Sequence, residues 1–168
     1  LTNLCLPSDE PPEGARSVYI TLPRSSVKDT TVAEPTQTIE RLHAALNAHD
    51  IEAFSDCFDA EYRSEQPNHP DRAFQGRDQV RKNWEGVFAG VPNFTAELVL
   101  SVVTSEGVEV GEWRWHGTHT DGAAFGMRGV IVAGVEDDLI TWARLYMEPV
   151  EEAGANIDEM VRETYRPN

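Results

Sequence analysis

Three groups of residues in this chain have the types and spacing for proton-transfer chemistry. The first is Tyr62-Arg63-Ser64-Glu65-Gln66-Pro67-Asn68-His69, in which a carboxylate and an imidazole flank a proline. A positioned carboxylate is a general base, and an imidazole titrates near neutral pH without a large shift. The second is Glu112-Trp113-Arg114-Trp115-His116-Gly117-Thr118-His119. Read as a strand, it sends Glu112, Arg114 and His116 to one side and Trp113, Trp115, Gly117 and His119 to the other. In the third, Trp142, Arg144, Tyr146 and Glu148 alternate with Thr141, Ala143, Leu145 and Met147. A carboxylate near an arginine on one face stays ionised, as a base or a water-activating group requires. A face of Trp, Tyr and Arg equally suits a subunit interface.

The candidate catalytic residues are therefore His119, Glu65, Glu148 and Tyr146, with His69 in reserve. Tyr62, Trp84, Trp113, Trp115, Trp142 and Arg144 are the candidate pocket wall. Each has a plainer reading. Strand alternation puts Tyr62, Ser64 and Gln66 on one face and Glu65 on the other, so Glu65 reaches a pocket only if a bulge re-aims it. His69 suits an ordinary surface loop, and large aromatics commonly fill a core. Which side of the Trp-rich strand faces inward stays open.

Composition bounds the partners. With 29 acidic against 14 basic residues the formal charge is -15, which repels a phosphate backbone and makes nucleic acid an unexpected partner. A mean hydropathy of -0.44 and apolar runs no longer than Val130-Ile131-Val132-Ala133 leave no expected membrane span. Cys5 and Cys57 give neither a disulfide framework nor a zinc-ligand spacing, so no metal is expected, and with no secretory h-region a reducing cytoplasm is the expected location.

The elements that must position these groups follow from periodicity. Five prolines in residues 1–35 break any helical period and predict an extended arm, with Ser17–Leu22 able to form an edge strand. Thr36 or Thr38 caps a helix through Ile39, Leu42, Ala45 and Leu46, and Asp50 caps a shorter one through Phe54 and Phe58. A strand over 60–66 precedes a third helix, from Gly76-Arg77-Asp78 through Val80, Trp84 and Phe88. Beyond Asn93 the period falls to two, predicting strands over 94–104, 108–118, 125–135 and 139–147 joined by short polar turns. That pattern predicts an antiparallel meander. Residues 36–150 form the expected domain, and 151–168 carry a last amphipathic helix near Ile157.

The order helix, helix, strand, helix, four-strand meander resembles the nuclear transport factor 2-like superfamily. Asp59-Ala60-Glu61-Tyr62, Phe74-Gln75-Gly76-Arg77-Asp78-Gln79-Val80 and the Trp-rich stretch through Gly122 resemble its SnoaL-like polyketide cyclase branch. The resemblance covers roughly Thr36 to Val150. It implies an α+β cone in which a curved antiparallel sheet and three N-terminal helices enclose a pocket for a hydrophobic small molecule. It further implies cofactor-free acid-base chemistry of the cyclase, isomerase or dehydratase kind, and a homodimer through the meander sheet. In ketosteroid isomerase-like members a carboxylate base ends the strand after the second helix, where alignment here gives Ser64 or Gln66. The aspartate base of SnoaL-type cyclases belongs to the strand 125–135, which carries no acidic residue, and the Asp-Arg-Asp set of limonene-type epoxide hydrolases has no counterpart. A non-catalytic ligand-binding or oligomerising protein is the alternative.

Overall fold

The computed structural model describes residues 35–151 and 153–166. The arm, with the strand expected at Ser17–Leu22 and the Cys5 thiol, lies outside the described residues. Thr36, not Thr38, opens the first helix: its side-chain oxygen accepts from the Ile39 amide, and α1 runs Gln37–Ala48. The apolar positions read from the 3.6-residue period, Ile39, Leu42, Ala45 and Leu46, are all buried. At its end His49 takes a left-handed φ of 53°, which a non-glycine residue adopts only with support. The support is its ring, stacked on Phe88 and donating to the Phe94 carbonyl at 2.7 Å. Asp50 caps α2 (Ile51–Ser55), accepting from the Ala53 amide.

Next come β1 (Phe58–Glu65), a short 3-10 turn at Pro70–Arg72, β2 (Phe74–Gln75) and α3 (Arg77–Gly90). Gly76, at φ 94°, makes the turn into α3 that a side chain would strain. The meander then follows as β3 (Thr95–Val103), β4 (Val108–Thr118), β5 (Ala124–Glu136) and β6 (Leu139–Pro149), and α4 (Ile157–Tyr165) closes the described chain. At the β5–β6 hairpin Asp137 and Asp138 both take positive φ, the two-residue turn whose twist matches the flanking strands.

These strands form one sheet in the order β2-β1-β6-β5-β4-β3. The meander pairs antiparallel throughout, as its turns require, but β1 lies parallel to β6, so the sheet is mixed rather than wholly antiparallel. A parallel pair needs a long crossover, and everything between β1 and β6 supplies it. Register shifts between Phe58 and Arg63, Leu98 and Leu100, and Gly134 and Val135 bend the strands and give the sheet its curvature.

α1 is tied across the inner face at both ends. Thr38 and Arg41 donate to the Asp138 carbonyl at 3.0 and 2.8 Å, while Asn47 pairs its amide with both backbone groups of Ala96, at 3.0 and 2.8 Å. Among the described residues no helix is long and apolar enough to cross a membrane.

Candidate functional site

α1 and α3 stand over the sheet and leave a cavity of about 210 Å3 between them. β4 decides its character. Trp113 and Trp115 point inward with Gly111, so the aromatic side of the strand is the concave one, and Glu112 and His116 are exposed on the other. Gly111 is required there because a side chain at that position would collide with the Trp113 indole. Trp84 of α3 meets Trp115 edge to face at 5.3 Å and Phe54 at 4.8 Å, and Phe58 meets Tyr62 at 4.8 Å. Such tilted pairs are the arrangement that aromatic rings favour, and they make the wall apolar.

Few polar groups enter this lining. Gln66 and Asn83 are its more exposed members, while Tyr62, Ser64 and Glu109 are buried. Burial pushes the Tyr62 phenol up to about 12, despite an opposing hydrogen bond with Ser64, which makes it a neutral O–H donor throughout the physiological range. Glu109 is only 2% exposed. One of its oxygens accepts from the Ser101 hydroxyl and the other from the Thr36 backbone N–H at 3.1 Å. Among the described residues no cation pairs with it, and no Lys, Arg or His lines the cavity. The indole N–H of Trp115 is also buried without a partner among the described residues.

Glu109 was not among the residues expected from sequence. The signal was present: Glu109, Gly111, Trp113 and Trp115 alternate on β4, so an acid two positions before the aromatic pair shares its face.

Tyr62, Trp84, Trp113 and Trp115 line the cavity, whereas the other expected residues lie elsewhere. β1 runs without a bulge at its end, so Glu65 points to the outer sheet face and accepts from Arg144 at 3.0 Å. Arg144 in turn lies over Trp142, 5.3 Å from its ring, and that indole covers Gly134, where a side chain would clash. These three are therefore outer-face residues, and the expectation that Trp142 and Arg144 wall the pocket is corrected by the alternation of β6, which turns Ala143 and Leu145 inward instead. His69 meets Glu148 at 3.1 Å, and Tyr146 is 38% exposed; none of the three lines the cavity. His119 is exposed in the β4–β5 turn with its ring against Phe125. Ser64 and Gln66, the two positions that alignment left open for a base, both line the cavity and neither is an acid. Among the described residues no group of three His, Cys, Asp or Glu side chains is placed to hold a metal ion.

This arrangement is that of a known family. The model of the SnoaL-like domain matches residues 39–143, more than half of the chain, and the chain belongs to that family. Solved structures agree on the fold. IdmH, a proposed polyketide cyclase from Streptomyces antibioticus, superposes with a TM-score of 0.59 at 20% identity, covering 69% of this chain and 93% of its own. RV0760c from Mycobacterium tuberculosis, in complex with estradiol-17beta-hemisuccinate, gives 0.58 at 18% identity, with 73% and 93% covered. A hypothetical protein with a ketosteroid isomerase-like fold from Catenulispora acidiphila, in complex with trimethylamine, gives 0.56 at 14% identity, with 66% and 85% covered. No curated protein matches the chain by sequence.

Proposed function

We propose that this protein binds a hydrophobic small molecule in the cavity between α1, α3 and the sheet, and exchanges a proton with it at Glu109 without a cofactor. The observation that carries this reading is a buried carboxylate, without a cationic partner among the described residues, in the wall of an otherwise aromatic cavity. In such surroundings a carboxyl group exchanges protons with little solvent competition, and positioned acid-base groups of this kind supply typically 10²- to 10⁴-fold in rate. Tyr62, a neutral phenol in the same wall, is placed to donate to a carbonyl or leaving oxygen. The solved neighbours that hold small organic ligands support the same use of the fold.

A generic probe tests it. Base-promoted ring opening of 5-nitrobenzisoxazole needs only a carboxylate in an apolar pocket that admits two fused rings. The wild type should accelerate it over free acetate, and Glu109→Gln should lose at least about 10²-fold. Wild-type and variant rates that coincide would reject proton transfer at Glu109.

Non-catalytic binding is the second reading, favoured by one observation: Ser64 and Gln66 stand where a family base is expected. Ligand-dependent stabilisation without turnover would select it. We also assign the outer face to a homodimer. Tyr146, Val130, Glu112 and Leu100 stand in register as one row across β6, β5, β4 and β3, with Tyr146 and Leu100 exposed. A cytoplasmic setting belongs to the same proposal, and Cys57, a buried thiol with no disulfide partner among the described residues, accords with it.

A further inference from the structure

Resting on the cavity reading above, we infer that the ligand is a compact amine, one or two rings in size, whose ammonium group meets Glu109. Size comes first. A dry cavity of about 150 Å3 accommodates benzene, and pockets for drug-sized ligands begin near about 300 Å3. The 210 Å3 here lies between them, space for a substituted single ring or two fused rings.

Charge comes second. Transferring a carboxylate out of water is costly unless it is paired or fully hydrogen-bonded. Each oxygen of Glu109 holds one protein donor, Ser101 or Thr36, and each retains a further acceptor position. A ligand cation supplies the missing charge, and an N–H donor fills the remaining acceptor capacity. An anionic ligand meets the opposite situation: with no basic side chain in the lining among the described residues, its charge would be desolvated beside a like charge.

The walls point the same way. Phe58, Tyr62, Trp84, Trp113 and Trp115 present aromatic rings to the space, and ring faces attract cations, more strongly once both are desolvated. The formal charge of -15 adds long-range attraction for cations and repulsion for anions on approach. Glu109 thereby acts as a specificity-determining residue, selecting by charge among molecules of one shape.

Three isosteric probes separate this inference from the reading beneath it. Binding of 2-naphthylmethylamine, 2-naphthylmethanol and 2-naphthoate to the full chain is followed by quenching of tryptophan fluorescence, near neutral pH and at physiological salt. The wild type should hold the amine at least about tenfold tighter than the alcohol, with the carboxylate weakest. Glu109→Gln should bring amine and alcohol within about threefold of each other and strengthen naphthoate binding. Glu106→Gln makes the same change in net charge in the exposed β3–β4 turn and should leave the amine preference intact. Equal binding of amine and alcohol by the wild type, or a preference that survives Glu109→Gln, would overturn the amine assignment while the cavity reading stands. Failure of all three probes to bind a folded wild type would overturn the cavity reading and this inference with it.

Discussion

Tyr62 and Glu109, both buried in the cavity wall, carry the proposed chemistry, and each is testable singly. Tyr62 keeps its proton because burial disfavours the phenolate. Its folded value of about 12 exceeds the ordinary 10, so between those pH values the unfolded chain gives up the proton first and binds fewer protons than the native state. Unfolding free energy therefore falls as pH rises through that window, by up to about 3 kcal/mol from this group, and the group contributes no pH dependence below it. Urea denaturation at a series of alkaline pH values should show this fall, shallower in Tyr62→Phe. Cys57 offers a contrast. Burial raises its thiol, so Cys57, followed by peptide mapping, should resist alkylation in the native protein until it unfolds, whereas an accessible thiolate would react at once. At Glu109 the decisive quantity is location, since the same residue type at Glu65 or Glu148 meets a partner at the outer face and does nothing for the cavity.

Among the elements, α1 sets the cavity roof, and its position rests on a few polar ties. Asn47 imitates a strand backbone toward Ala96, accepting from its amide and donating to its carbonyl. Asn47→Ala leaves both Ala96 groups without that partner and should cost about 1–2 kcal/mol, read as a lowered urea midpoint at unchanged slope. Thr36 acts at both levels. Its side chain caps α1 while its amide holds Glu109, so the register of the helix start and the orientation of the candidate base are one constraint. β4 shows how an element can be read correctly while the side it turns inward stays open. Its span, Val108–Thr118, coincides with the expectation from alternation, as does the division of its side chains into two faces. Which face was concave depended on where α1 and α3 pack, a contact that no residue of β4 encodes alone.

At the scale of the whole molecule, the outer sheet face presents Leu100 and Tyr146 to solvent. The dimer proposed for it predicts a particle of twice 18.7 kDa by light scattering at micromolar concentration, and Tyr146→Glu, which places a charge in the central row, should yield the monomer. A wild-type monomer would reject it. α4 shows the same limit of local reading: its amphipathic pattern and its Asn156 capping box give a helix where the period predicts one, yet no residue of it is buried among the described residues. By itself the sequence determined what short-range physics determines: helix starts from caps, helix faces from the 3.6-residue period and hairpins from turn residues, while the resemblance to the SnoaL-like family rested on their order together with the stretches 59–62, 74–80 and 112–122. Tertiary structure alone decided the rest. A parallel pairing brought β1 beside β6, the packing of α1 and α3 chose the aromatic face, and Glu109 became a cavity residue. Burial and cavity membership are properties of distances between segments far apart in the chain, and alternation along one strand fixes them only up to the choice of side.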